Sequence, residues 1–127
     1  MKTKEQCYGK LLIAISVAAL VFHLLIVIKV IPYAITWGGR LKTDSEMYLF
    51  ETVSIGINLF FIFLVLQRVD MERSLLGKKT ATILLWIFFV LFGLNTIGNI
   101  FATTPLEQWF SLLTLANAFL IWKINRR

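Results

Sequence analysis

The sequence predicts an all-α integral membrane protein, a four-helix bundle with antiparallel up-down topology and both termini in the cytoplasm. Composition predicts the membrane class, because 58% of the 127 residues are hydrophobic and only 16% are charged, whereas soluble domains carry about a quarter charged residues. Four apolar stretches of the length that a bilayer crossing requires set the number of spans. They leave no room for a soluble domain, so residues 1–127 are predicted to form a single membrane domain.

Residues at the ends of the apolar runs support the predicted boundaries of the spans. The apolar runs cover about residues 11–31, 47–66, 81–101 and 106–122. Pro32 and the Gly38-Gly39 pair interrupt the chain after helix one. The Thr-x-x-Glu spacing of a capping box precedes helix two at residues 43–46 and helix four at residues 104–107. Pro105 suits the first position of helix four, which leaves only a short connection after helix three.

Basic residues predict the orientation, because cytoplasmic loops carry an excess of Lys and Arg. Ten of the thirteen lie before helix one, between helices two and three, or after helix four. Arg68 is assigned here to the connection after helix two. The other three are Lys29, Arg40 and Lys42. When the three acidic residues of the inner side and the four of the outer side are subtracted, the formal charge is +7 on the inner side and −1 on the outer side.

The charge distribution and the rare residue types narrow the function classes. The basic residues are divided among short loops, which favours contact with anionic inner-leaflet lipids over nucleic acid. One cysteine and one histidine provide neither an internal disulfide nor a zinc ligand set, so no metal or cofactor is expected.

Polar residues inside the predicted spans are the candidates for function, because each needs a partner in hydrocarbon. Glu51, Ser54 and Asn58 share one face of helix two. Asn95 and Asn99 share a face of helix three, and Ser16 and His23 a face of helix one. We expect these faces to turn inward around an outer polar half, above an inner half that is almost purely apolar apart from Ser16 and Asn117. The predicted ligand-binding residues are His23, Arg40, Glu51, Ser54, Asn58, Asn95 and Asn99.

The same residues allow a purely structural interpretation. Asn, Ser, Thr and His in membrane helices often form hydrogen bonds between helices. Glu51 differs, because a carboxylate at this depth has to pair, protonate or face water. Its possible partners are Arg40, Lys29 and His23. Arg40 could cap Glu51 from above through a charge-assisted pair, whereas Lys29 is expected to extend toward the outer headgroups. The apolar segment 31–41 is expected to fold over the bundle mouth or to lie on the headgroups.

The segment Trp37-Gly38-Gly39-Arg40-Leu41, followed by Phe50-Glu51-Thr52-Val53-Ser54 and Asn58, resembles a group of small uncharacterised bacterial four-span membrane proteins. The resemblance covers loop one and helix two, and elsewhere only hydropathy. It implies a bacterial inner-membrane setting and no catalytic activity.

Three kinds of function fit these residues. The first is an outward-facing pocket that binds, or helps to transport, a small polar or amphipathic ligand. The second is an accessory or structural subunit of a membrane complex that binds no ligand. Assembly into a homo-oligomer is a further alternative. The third is an intramembrane enzyme that transfers protons on a lipid with Glu51 and His23 as an acid/base pair, which requires the two side chains to meet. The sequence favours a non-enzymatic protein over the proton-transfer enzyme.

Overall fold

The described part of the chain forms four α-helices. The computed structural model describes residues 2–35, 41–69, 75–101 and 105–126. The helices are α1 (Lys2–Val27), α2 (Asp44–Val69), α3 (Gly77–Ile100) and α4 (Pro105–Asn125), with a 3₁₀ turn at Tyr33–Ile35 between α1 and α2. No strand occurs within the described ranges. The all-α prediction is therefore confirmed.

Helix α1 begins before the predicted apolar run and ends inside it. It closes in a Schellman motif, because the Val30 amide donates to the Leu25 carbonyl (2.9 Å) and the Lys29 amide to the Ile26 carbonyl (3.0 Å). This geometry needs a left-handed residue after the helix, and Lys29 takes that conformation with φ 65°. The span predicted to reach Ile31 thus stops at Val27.

The capping box predicted ahead of α2 is confirmed. The Glu46 amide donates to Oγ1 of Thr43 (3.2 Å), and the Thr43 amide donates to Oε1 of Glu46 (3.1 Å). Leu41 and Met47 are buried beside this cap and pack with Ile26 of α1. The box predicted at residues 104–107 ahead of α4 begins at Thr104, which lies outside the described part of the chain.

Among the described residues, two buried apolar clusters hold the helices together. The larger draws on all four helices and comprises Leu12, Phe61, Leu64, Val65, Leu85, Phe88, Leu120, Ile121 and Ile124. The smaller is the Ile26, Leu41 and Met47 group beside the α2 cap. Contacts join α1 to α2, α2 to α3, α3 to α4 and α4 to α1, so the helices form a bundle.

Helices α1 and α2 approach closely where α1 begins and α2 ends. A Cβ atom added to Gly9 would lie 2.9 Å from Cγ1 of Val69. A side chain at position 9 would therefore force the two helices apart or displace Val69.

Among the described residues, three helices have the length and apolarity to cross a membrane. They provide spans at Gln6–Val27, Asp44–Val69 and Gly77–Ile100. Large apolar side chains on their outer faces are exposed, among them Val21, Leu59 and Ile87 at 50%, 53% and 52%. Such surfaces suit lipid rather than water. Helix α4, with 21 residues, does not meet the same criterion within the described residues.

Candidate functional site

His23 and Glu51 meet at the bundle end where α1 finishes and α2 begins. Nδ1 of His23 lies 2.5 Å from Oε2 of Glu51. The Glu51 side chain is fully buried, whereas the His23 side chain remains 21% exposed. A buried carboxylate needs a polar or charged partner, and His23 is one that Glu51 has here. The contact required by the acid/base hypothesis therefore exists.

The two ring nitrogens of His23 differ in their hydrogen bonding. Its Nδ1 is held by Glu51, and no hydrogen bond to Nε2 occurs within the described part of the chain. Phe22 lies edge-on to the His23 ring, with centroids 6.1 Å apart. Phe22 also packs edge-on against Phe110 of α4, with centroids 4.8 Å apart. The site thus combines one available nitrogen with an apolar aromatic wall.

The predicted polar faces of α1 and α2 point toward each other. Nδ2 of Asn58 donates to the backbone carbonyl of Ser16 at 3.0 Å, two turns along α2 from the His23–Glu51 contact. Ser16 is buried. Ser54 is half-buried and lies between Glu51 and Asn58 on α2. The spacing of Glu51 and Asn58 on α2 therefore matches that of His23 and Ser16 on α1.

Helix α3 is rotated away from the predicted orientation. Asn95 is exposed and Asn99 is only half-buried, whereas the neighbouring Thr96 is buried. Oγ1 of Thr96 lies 2.8 Å from Oγ1 of Thr114 on α4. In this part of α3 the polar residue that faces inward is therefore Thr96 rather than Asn95. The expectation that Asn95 faces the interior was wrong, because the buried arc follows Ala81, Leu85 and Phe88.

The candidate site thus contains four of the seven predicted residues. His23, Glu51, Ser54 and Asn58 lie at the α1–α2 interface, and neither asparagine of α3 has a described hydrogen bond to them. Arg40, and with it the predicted pairing of Arg40 with Glu51, lies outside the described residues.

A polar rim surrounds the end of α1. Nζ of Lys29 lies 2.5 Å from Oδ2 of Asp44, and the Tyr33 hydroxyl donates to Oδ1 of Asp44 at 3.0 Å. The hydrogen bond to Asp44, aided by its negative charge, raises the pKa of Lys29. A hydrogen bond to the same carboxylate raises the pKa of Tyr33. Lys29 is therefore paired, rather than only extended toward headgroups as the sequence predicted.

An open depression of about 540 Å³ lies beside this rim. Lys29, Tyr33, Leu41 and Lys42 are among its lining residues. None of the six described candidate residues lines it. It is thus a feature of the rim and not of the His23–Glu51 site.

A second polar cluster lies at the opposite end of the bundle and was not predicted from the sequence. Arg68 lies in the last turn of α2, only 1% exposed, and not in the following connection. Its Nε donates to Oγ1 of Thr82 (3.1 Å) and one terminal nitrogen donates to the Ile124 carbonyl (2.9 Å). Nδ2 of Asn125 donates to the Thr82 carbonyl at 3.0 Å. The assignment of Arg68 to the connection after helix two was therefore wrong, because α2 continues to Val69 and buries this side chain.

One sequence signal could have placed Arg68 inside. Phe61, Leu64, Val65 and Arg68 follow at i, i+3, i+4 and i+7, the spacing of one helix face. The first three are buried, so a helix that continues beyond them buries the fourth as well.

Among the described residues, no group of three His, Cys, Asp or Glu side chains is placed to hold a metal ion. Comparison with protein families, curated proteins and solved structures finds no match to this chain.

Proposed function

We propose that the protein is a four-span bundle of the bacterial inner membrane that binds a small polar or amphipathic ligand at its outer half. The His23–Glu51 contact of 2.5 Å carries this proposal. Ser54 and Asn58 line the site in this proposal and Arg40 supplies the counter-charge, whereas Asn95 and Asn99 are left with less direct roles. The resemblance of loop one and helix two to small bacterial membrane proteins supports the inner-membrane setting.

The proposed topology is antiparallel with both termini in the cytoplasm. Contacts between the end of α1 and the start of α2, and between the end of α2 and the start of α3, support alternating directions. The contact of Arg68 with Ile124 likewise places the ends of α2 and α4 together. The excess of basic residues at that end supports a cytoplasmic assignment. Arg126 over the Trp122 ring, 4.8 Å from its centroid, suits a headgroup region there.

The arrangement around His23 suggests the ligand class. A carboxylate on one imidazole nitrogen fixes the ring orientation and leaves the other nitrogen to donate or accept a hydrogen bond. The neighbouring Phe22 and Phe110 rings offer contact to an apolar part of the same molecule. A ligand with one polar group and an apolar body satisfies both surfaces.

Native mass spectrometry of gently purified protein tests this proposal. We expect a small molecule that co-purifies with the wild type and is lost or strongly reduced in His23→Gln and Glu51→Gln. Thr52→Val is the matched control, because Thr52 follows Glu51 in the chain and is exposed, whereas Glu51 is buried. An empty wild-type protein, or retention of the molecule by both site variants, would contradict the proposal and favour an accessory subunit.

Intramembrane proton transfer on a lipid is the second candidate, and the same short contact favours it. A carboxylate that holds Nδ1 of an imidazole prepares Nε2 to act as a general acid or base. Incubating the protein with membrane lipids and analysing them for isomerised or deuterium-exchanged products separates the two candidates. Product that requires both His23 and Glu51 supports an enzyme, whereas a bound but unchanged molecule supports ligand binding alone.

A further inference from the structure

The open depression beside the end of α1 has both cationic and apolar lining residues. Lys29 and Lys42 are the cationic ones. Ile31, Pro32 and Ala34 contribute apolar surface. The depression's volume of about 540 Å³ lies within the range of small-molecule sites, roughly 300–1,000 Å³. This lining matches a molecule that is anionic at one end and apolar at the other.

Lys29 occupies a backbone position that favours glycine. Its φ of 65° lies in the left-handed region, which is disfavoured for a residue with a Cβ atom. Strain at a non-glycine residue points to function when the side chain makes contacts that glycine cannot make. Here the side chain lines the depression and reaches Asp44. The Lys29 ammonium is thus the feature that a glycine at this position would lack.

Two acidic side chains near the depression already accept hydrogen bonds. Asp44 accepts from Lys29 and Tyr33, and Glu46 accepts from the backbone amide of Lys42. An ammonium group carries three donors, so Lys29 keeps two beyond its contact with Asp44. The Lys42 ammonium has no hydrogen bond within the described part of the chain. The donors that remain suit an oxyanion.

The depression lies where α1 ends and α2 begins. Helix α2 has 26 residues and at 1.5 Å per residue is about 39 Å long, which exceeds the hydrocarbon core of about 30 Å. Its first residue is Asp44, and Lys29 follows the end of α1 at Val27. The depression is therefore expected at the depth of the lipid phosphate groups.

We propose that this depression binds one phospholipid through its phosphate group. Lys29 and Lys42 donate to the phosphate oxygens. The exposed Pro32 and Ala34 contact the glycerol and the first carbons of the acyl chains. Phosphatidylglycerol fits better than phosphatidylethanolamine, because the latter carries its own ammonium group beside the two lysines. The proposal rests on the membrane placement of α1 and α2 but not on a ligand at His23.

Native mass spectrometry of protein released from bilayers of mixed phosphatidylglycerol and phosphatidylethanolamine tests the proposal. We expect the wild type to retain one phosphatidylglycerol in preference to phosphatidylethanolamine. Lys29→Gly and Lys42→Gln should each weaken this retention roughly 3- to 10-fold. Glycine accepts a φ of 65°, so the ending of α1 survives the loss of the Lys29 ammonium. Lys10→Gln is the control, because it removes the same charge from an exposed position toward the other end of α1.

A second measurement distinguishes a lipid from a soluble phosphate compound. Inorganic phosphate, titrated calorimetrically into delipidated protein in detergent, should bind more weakly than phosphatidylglycerol, because it makes no contact with the apolar surface. Equally tight binding of inorganic phosphate would overturn the lipid assignment. Equal retention by the wild type, Lys29→Gly and Lys42→Gln, or equal retention of the two lipids, would overturn the site. His23→Gln should keep the lipid, which separates this result from failure of the ligand proposal.

Discussion

The guanidinium of Arg68 donates a hydrogen bond of 2.9 Å to the carbonyl oxygen of Ile124, which ties the last turn of α2 to the last turn of α4. The same side chain reaches Thr82 near the start of α3 through its Nε atom. Carbonyl groups in the final turn of a helix lack partners within that helix. Arg68 therefore satisfies one of these groups in α4 and joins three helices at one end of the bundle.

Arg68→Lys is expected to destabilise the bundle by about 1–3 kcal/mol, because a single ammonium cannot reproduce the planar fork that reaches Thr82 and Ile124. Unfolding in detergent, followed by circular dichroism with increasing denaturant, measures this change. Lys4→Arg exchanges basic residues at an exposed position and should leave the unfolding free energy unaltered. Equal stability of the wild type and Arg68→Lys would show that the fork is dispensable.

Lys29→Gly is expected to be more stable than Lys29→Ala by about 1 kcal/mol. Both variants lose the contact with Asp44, so the comparison isolates the cost of the left-handed conformation at φ 65°. Thermal unfolding of the two variants under identical detergent conditions provides the measurement. Greater stability of Lys29→Ala would contradict the Schellman ending of α1.

The rim contacts of Asp44 are expected to weaken at strongly alkaline pH. The pKa values of Lys29 and Tyr33 are raised above their ordinary values of 10.5 and 10.0. A raised pKa in the folded state means that the stabilising contribution is complete below the ordinary value and is lost as pH rises through the folded value. Phenolate absorbance during an alkaline titration reports the ionisation of Tyr33.

Asp44→Asn should lower the pKa of Tyr33, because the anionic acceptor of its hydrogen bond is gone. Subtracting the titration of Tyr33→Phe isolates this tyrosine from the other two. An identical titration in Asp44→Asn and the wild type would rule out the contact.

The proposed orientation predicts that Cys7 is accessible only from the cytoplasm. Cys7 is the single cysteine of the chain and its side chain is exposed near the start of α1. A membrane-impermeant maleimide should label it in inverted vesicles and not in intact cells. In a Cys7→Ser background, Lys42→Cys should show the opposite pattern, because Lys42 is exposed at the other end of the bundle. Labelling of Cys7 in intact cells would reverse the topology.

Local chemistry explains which features of the fold could be predicted. The capping box of Thr43 and Glu46 depends on residues three apart, so their spacing is sufficient. The facing of α1 and α2 was also predictable, because Glu51 and Asn58 are strongly polar and lie on one helix face. Helix α3 is apolar nearly all round, so nothing local fixes its rotation, and packing chose Thr96 instead of Asn95.

The charge of a residue predicted its burial less well than local spacing predicted the helix cap. Arg68 was assigned to a connection because basic residues usually flank spans, but α2 continues to Val69 and carries the guanidinium into the interior. The hydrogen-bond acceptors that make this burial tolerable come from α3 and α4. Their proximity depends on tertiary packing, which the spacing of residues along α2 does not contain.

The close approach of Gly9 to Val69 has a mechanical consequence. This close approach and the His23–Glu51 contact hold α1 against α2 near both ends of the pair. The contact between Thr96 and Thr114 joins α3 to α4. The α1–α2 pair and the α3–α4 pair are therefore each held together internally. The hydrogen bonds of Arg68 to Thr82 and Ile124 join the two pairs at one end of the bundle, so a motion that parts them begins more easily at the opposite end, beside His23 and Glu51.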